Sequence, residues 1–482
     1  MLFNSFAFAV FLPVVFALYW LLPHRFRWML LLVASYWFYM SWNVKYVVLI
    51  LFTTVASYGA ALWMERHEDK RIKKRILAGT LVACLGVLFV FKYFNFFSAT
   101  VAEAASLFGT TVHPVTLKLL LPVGISFYTF QTLGYVIDVY RGDVKAEHHF
   151  GIYATFISFF PQLVAGPIER TKNLLPQIRE EHSFQYDRAM FGAKLMLWGY
   201  FKKLVIADNL SPYVDRIFDD VSAYSGFAFV IATFFFTLQI YCDFSGYSDI
   251  ARGCANLLDI ELMDNFKSPY FAASIRDFWS RWHISLSTWF RDYVYIPLGG
   301  NRVSAARRNI NLMITFLVSG LWHGANWTFV LWGGVHGLAQ ILENAFSGKR
   351  ERADNPPARA LRTFLIFVFV AFAWVFFRAQ SMADISHIFR HLFTGIGDPV
   401  QYLWRGFSDI NMYKETLTGY CVVLFLPLFL FDFLSSKSGK NGIALLSKRA
   451  KPLQWALLLL IAYGVVLFAP KGIAADFVYF QF

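Results

Sequence analysis

Charge is scarce in this 482-residue chain: Asp, Glu, Lys and Arg make up only 16% of it, while apolar residues make up 57%. A soluble protein carries about 25% charged residues, so a soluble globular fold is excluded and a polytopic membrane protein is expected. Acidic residues are the scarcer sign, 31 against 44 Lys and Arg. The basic excess lies in short loops between apolar stretches. It therefore reads as a topology signal, and no nucleic-acid partner is expected. Cysteine is nearly missing: Cys84, Cys242, Cys254 and Cys421 are scattered, with no CxxC pair. That pattern supports neither a metal site nor a disulfide framework. The GxSxG elbow, HExxH, the Walker loop and GxGxxG are absent too, which removes the chemistries those motifs carry.

Aromatic residues are abundant, with 54 Phe, 24 Tyr and 15 Trp, as suits a helical bundle with aromatic belts at both interfaces. The N-terminal apolar stretch has no basic n-region and no small-residue cleavage site, so it reads as a retained first span. Basic runs at 23–27 and 65–75 mark the cytoplasm, and the stretch between them turns at Ser41-Trp42-Asn43. Further spans are expected near 77–97, 116–137, 191–207, 227–241, 361–377, 419–434 and 453–468, with near-neutral or acidic outer loops at 98–114 and 208–222. Residues 150–166 and 276–291 are too short or too polar to span. Broken backbone at membrane depth survives only where protein buries it or a cavity lines it. The expected fold is all-α: a single integral-membrane domain over 1–482, with about ten or eleven transmembrane helices and re-entrant pieces around a polar catalytic centre.

The polar residues in apolar context fall in four places. Residues 317–337, LVSGLWHGANWTFVLWGGVHG, carry His323, Asn326 and His336 between basic flanks. If both flanks are cytoplasmic, the simplest path is a helical hairpin. Asn309 to His323 covers roughly 21 Å of helix, which brings the imidazole to about the middle of a ~30 Å hydrocarbon core. An ionisable group there needs a function or a partner. A neutral imidazole can take a proton from an alcohol or thiol during attack on an acyl carbonyl. The alternative is a histidine that pins two helices, and this is the favoured reading for His336, whose small-xxx-small surroundings suit close helix packing.

Residues 277–291, DFWSRWHISLSTWFR, place Arg281, Trp282, His283 and Arg291 in an amphipathic or re-entrant helix. It is either a rim for an anionic acyl donor or an interfacial helix whose arginines snorkel to lipid phosphates. Asp243 and Asp249 end a span in QIYCDFSGYSD and could pair with those arginines or neutralise a cavity, or equally be ordinary loop carboxylates. Gln162–Arg170, QLVAGPIER, is a shaped Gly-Pro loop.

These four segments, the run to Arg302 and the closing FVYFQF resemble the membrane-bound O-acyltransferases over essentially the whole chain. The likeness is to their bacterial branch of alginate O-acetyltransferases and teichoic-acid D-alanylation proteins. The resemblance implies that His323 is the catalytic histidine. Other branches place Asn or Asp about forty residues before it, where this chain has His283. It also implies acetyl-CoA or a related thioester as donor, with no bound cofactor. Arg281, Arg291, Arg302, Trp282 and Asn326 are the candidate donor-binding residues. The implied setting is the bacterial inner membrane. The implied partners are an SGNH-fold acetyltransferase, an exported polysaccharide such as alginate and its synthesis machinery. Tyr479 is either a belt tyrosine that anchors the aromatic C-terminus, the slightly favoured reading, or an acyl relay, because a phenolate leaves more readily than a sugar alkoxide. The rivals are a non-catalytic transport subunit and a lipid acyltransferase.

Overall fold

A computed structural model describes residues 1–346, 355–410, 417–470 and 477, and every regular element among them is helical. Among the described residues, five helices are long and apolar enough to cross a membrane: Val44–Glu65, Lys70–Leu107, Phe227–Leu257, Pro356–Arg378 and Lys451–Phe468. Helices satisfy their own backbone hydrogen bonds, which a bilayer requires of anything that spans it. The chain divides into two compact units, Met1–Met196 with Ile250–Met263, and Leu197–Asp249 with Asp264–Phe482.

In the first unit, the apolar N-terminus forms the helix Phe6–Leu21, capped by Ser5. The expected turn at 41–43 separates His24–Met40 from the next helix, and Asn43 accepts a hydrogen bond from the Lys45 amide there. Two expectations change. The helix beginning at Lys70 continues to Leu107 through a π stretch at Phe89–Tyr93, so most of the supposed loop at 98–114 is helical. Residues 110–122 are not helical, and the span expected at 116–137 begins only at Ile125. Pro122 lacks a donor, and Gly124 turns left-handed at φ 74°. A β-carbon on Gly124 would stand 2.7 Å from the Leu163 carbonyl oxygen, so this turn needs glycine. The stretch 150–166 is broken as expected, into Phe150–Ser158 and Phe160–Leu163, and it is buried apart from half of Phe150.

The second unit contains the histidine hairpin, Ala305–His323 and Trp327–Phe346. Ser304 caps its first arm by accepting from the Arg307 amide. Glycines draw the two arms together. A β-carbon on Gly320 would lie 2.2 Å from the Phe329 carbonyl oxygen, and one on Gly333 would lie 2.2 Å from that of Phe316. Backbone is therefore packed on backbone, the close approach that small residues permit between membrane helices.

Candidate active site

His323 is the last residue of the first hairpin arm, and the chain leaves the helix in extended conformation at Gly324. The ring of Phe329 fills the space where a Gly324 side chain would go. His323 is only 3% exposed. Its imidazole meets Trp322 at 4.9 Å, Trp332 at 5.1 Å and Phe377 at 5.4 Å between ring centroids. The fourth ring beside it is His283, at 6.3 Å. Two histidines forty residues apart in sequence thus share one aromatic chamber.

His283 arrives there through a break in the amphipathic stretch. Ile275–Arg281 and Ile284–Phe290 are separate short helices, and a π turn follows at Arg291–Tyr295. His283 joins them in left-handed conformation, φ 44° and ψ 53°. For a residue with a β-carbon this conformation is uncommon and is often found at functional sites. The ring is fully buried, edge-on to Phe244 at 4.6 Å. Its Nδ1 lies 3.1 Å from Asn265 Oδ1.

The other expected residues divide. Trp282 is buried in the aromatic core, stacked on Phe278 and 4.9 Å from Trp374. Arg281 Nε donates to Asp277, and Arg291 Nε donates to Asp292. Arg302 is exposed just before the first arm of the hairpin. About 27 Å of helix separates that end from His323, so Arg302 lies far from the imidazole. Asn326 caps the second arm by accepting from the Thr328 amide, and its Nδ2 donates to the Gln380 carbonyl. It therefore ties the tip of the hairpin to the residues after Phe377. His336 is completely buried among Phe278, Trp279, Trp332 and Phe369, as suits a packing residue. Tyr479 lies outside the described residues. Phe477, two positions before it, packs on Tyr247 and Phe244.

Asp243 and Asp249 take lysines as partners, not the arginines considered from sequence. Lys203 Nζ lies 2.6 Å from Asp243 and 2.8 Å from Asp208. Lys202 Nζ lies 2.7 Å from Asp249 and donates to Ser245 Oγ. Both lysines come from a π-helix, Phe201–Ala207, whose wider turn displaces consecutive side chains from the α-helical register. The signal was present, since two lysines inside an apolar stretch demand buried partners. Asn265, Ser248 and Ser285 carried no signal: nothing in MDNFK marks Asn265 as a neighbour of His283.

Residues 144–386 match the model of the MBOAT, membrane-bound O-acyltransferase family. The chain is 40% identical to the probable alginate O-acetylase AlgI of Pseudomonas aeruginosa over 393 residues, covering 81% of this chain and 74% of the relative. It is 36% identical to the protein of that name in Pseudomonas putida, covering 99% of both. It is 34% identical to the peptidoglycan O-acetyltransferase of Helicobacter pylori, covering 89% of this chain and 87% of that one. The matched family segment includes both His283 and His323.

Proposed function

The chain belongs to the membrane-bound O-acyltransferase family, and on that premise we propose that it passes an acetyl group across the bacterial inner membrane. The donor is a cytoplasmic thioester, acetyl-CoA or a carrier-bound equivalent. The final acceptor is an exported polysaccharide, of which alginate is the first candidate because it is named in several similar proteins. An SGNH-fold partner completes the transfer outside, alongside the polymer's synthesis machinery. The finer architecture that suits this task is ten or eleven spans with re-entrant helices around the two histidines.

The observation that carries the reading is the pairing of His283 and His323 inside one buried aromatic chamber. His323 is the proposed general base. An acceptor hydroxyl attacks the thioester carbon, a C–O bond forms and the C–S bond breaks. His323 takes the hydroxyl proton and the departing thiolate receives it, an order favoured because a thiol holds its proton at a pKa of about 8.5 against about 6.5 for imidazole. His283 supports the reacting groups from the facing side, and Arg281, Arg291, Arg302, Trp282 and Asn326 are proposed to hold or frame the donor. Tyr479 is the proposed first acceptor. Support comes from Phe477, which packs on Phe244, the ring that abuts His283. Two residues reach at most about 7 Å.

The test is turnover of labelled acetyl-CoA by the purified full-length chain, with polymer acetylation measured in cells. His323→Ala should lower transfer by ~10²–10⁴-fold while leaving the chain inserted and folded. Transfer near the wild-type rate in that variant would remove His323 from the mechanism. Tyr479→Phe keeps the ring and deletes the hydroxyl, so undiminished acetylation there overturns the relay alone.

A further inference from the structure

We infer that Asn265 is a positioning residue that fixes the tautomer of His283, so that His283 meets the reacting groups with Nε2 as a proton acceptor. The inference rests on the proposed role of His283 and deepens it. Asn265 is 1% exposed, and its carboxamide is the hub of a small network. The Ser285 backbone amide donates to Oδ1 at 3.3 Å, and the Ser285 hydroxyl donates to the same atom at 2.9 Å. A backbone N–H can only donate, so the atom it faces must be the carbonyl oxygen of Asn265. The amide orientation is set by covalent chemistry. On the opposite side, Asn265 Nδ2 donates to Ser248 Oγ at 3.2 Å.

The consequence for His283 is direct. Its Nδ1 lies 3.1 Å from an oxygen that cannot donate, so Nδ1 must carry the hydrogen. A neutral imidazole has one ring hydrogen, which leaves Nε2 with a lone pair. His283 can then donate a proton from Nε2 only after acquiring a second one. The backbone keeps this arrangement stiff: the Ile284 amide donates to the Asn265 carbonyl at 3.0 Å, and the Lys267 amide donates to that of Arg281 at 3.0 Å. The segment 265–267 is thus strapped across the helix break that presents His283. The network also reaches the Phe227–Leu257 helix through Ser248, next to the lysine-bound Asp249.

The experiment compares acetyl-CoA turnover by the purified full-length chain, read as release of the free thiol across a pH series. Asn265→Ala should lower kcat roughly 10–100-fold, the usual scale for losing the partner that orients a functional histidine, with KM for acetyl-CoA unchanged. Asn265→Asp keeps the acceptor and adds a negative charge, which favours the imidazolium. The neutral base is then lost at higher pH, and the acidic limb of the pH–rate profile should move up by about one unit. A purely structural asparagine would lower the yield of folded enzyme without moving that limb. Wild-type kcat in Asn265→Ala, or an unmoved limb in Asn265→Asp, overturns the inference. Should Asn265→Ala fail to fold, the Asp variant decides, because the Ser248 hydroxyl can turn to donate to a carboxylate. His283→Ala runs in the same series: full turnover there overturns the role of His283 itself. An inactive His283→Ala beside a fully active Asn265→Ala overturns only the role of Asn265.

Discussion

The lysine–aspartate cluster and the histidine chamber are both buried in the second unit, yet one is saturated with charge and the other is lined by rings, an amide and hydroxyls. Lys202 and Lys203 sit within 2.6–2.8 Å of Asp208, Asp243 and Asp249. Burying each ion costs several kcal/mol, and matching charges at short distance offset that cost. Such a cluster holds helices in place and resists exchanging its protons. His323 and His283 are surrounded by Trp322, Trp332, Phe377 and Phe244, which offer shape and exclude water. One environment is set by ion pairs, the other by packed rings.

That contrast breaks if the ion pairs prove dispensable. Lys203→Met removes the cation held between the buried carboxylates of Asp208 and Asp243 and should cost about 3–5 kcal/mol, seen as loss of folded protein in fluorescence-detected gel filtration. His323→Gln in the same measurement should behave as wild type while transfer collapses. Comparable yields from both variants would erase the distinction. Gly333→Ala should come next, at roughly 1–3 kcal/mol. Its methyl group meets the Phe316 carbonyl, so the hairpin must splay, and both thermal midpoint and transfer should fall together. Arg378→Gln should matter less. Arg378 holds Asp215 and Asp219 at 2.7 and 3.0 Å, but those carboxylates are 36% and 56% exposed. Although Arg378 is itself 9% exposed, pairs whose carboxylates stay in water contribute about 1 kcal/mol, and a midpoint shift larger than Gly333→Ala gives would contradict this ranking.

A pH slope in the first unit is a separate expectation. Burial raises the Glu169 carboxyl from 4.5 to about 7, against the hydrogen bonds from Asn173 and the Met263 amide, which act to lower it. A carboxyl whose folded pKa is raised stabilises the fold below its unfolded value, and that contribution is lost as pH rises through the folded one. The wild-type midpoint should therefore decline relative to Glu169→Gln between pH 4.5 and about 7, then run parallel to it. Parallel melting curves across that window would show Glu169 to be ionised throughout.

How much could be read beforehand depended on the range of each interaction. The hairpin was legible because Gly320, His323, Gly324 and Gly333 lie within one short run, whereas residues 277–291 read as one amphipathic or re-entrant helix and the break at His283 had no local sign. The pairing of Lys203 with Asp243 was not legible either, since forty residues separate them and only helix packing sets which faces meet. Asn265 was illegible for the same reason, made worse by its ordinary loop sequence. The delayed start of the helix at Ile125 depended on Gly124 meeting Leu163, another contact with no local sign.

The left-handed backbone at His283 also bears on which residues can occupy that position at all. A φ of 44° excludes β-branched side chains and taxes most others, but Asn, Asp and His enter this region several-fold more readily. Those are the residue types expected at this point across the branches of the family. Chain geometry acts there as a filter ahead of chemistry: it admits a short set of hydrogen-bonding side chains. A lineage could therefore exchange imidazole for carboxamide or carboxylate at this point without rebuilding the helices on either side.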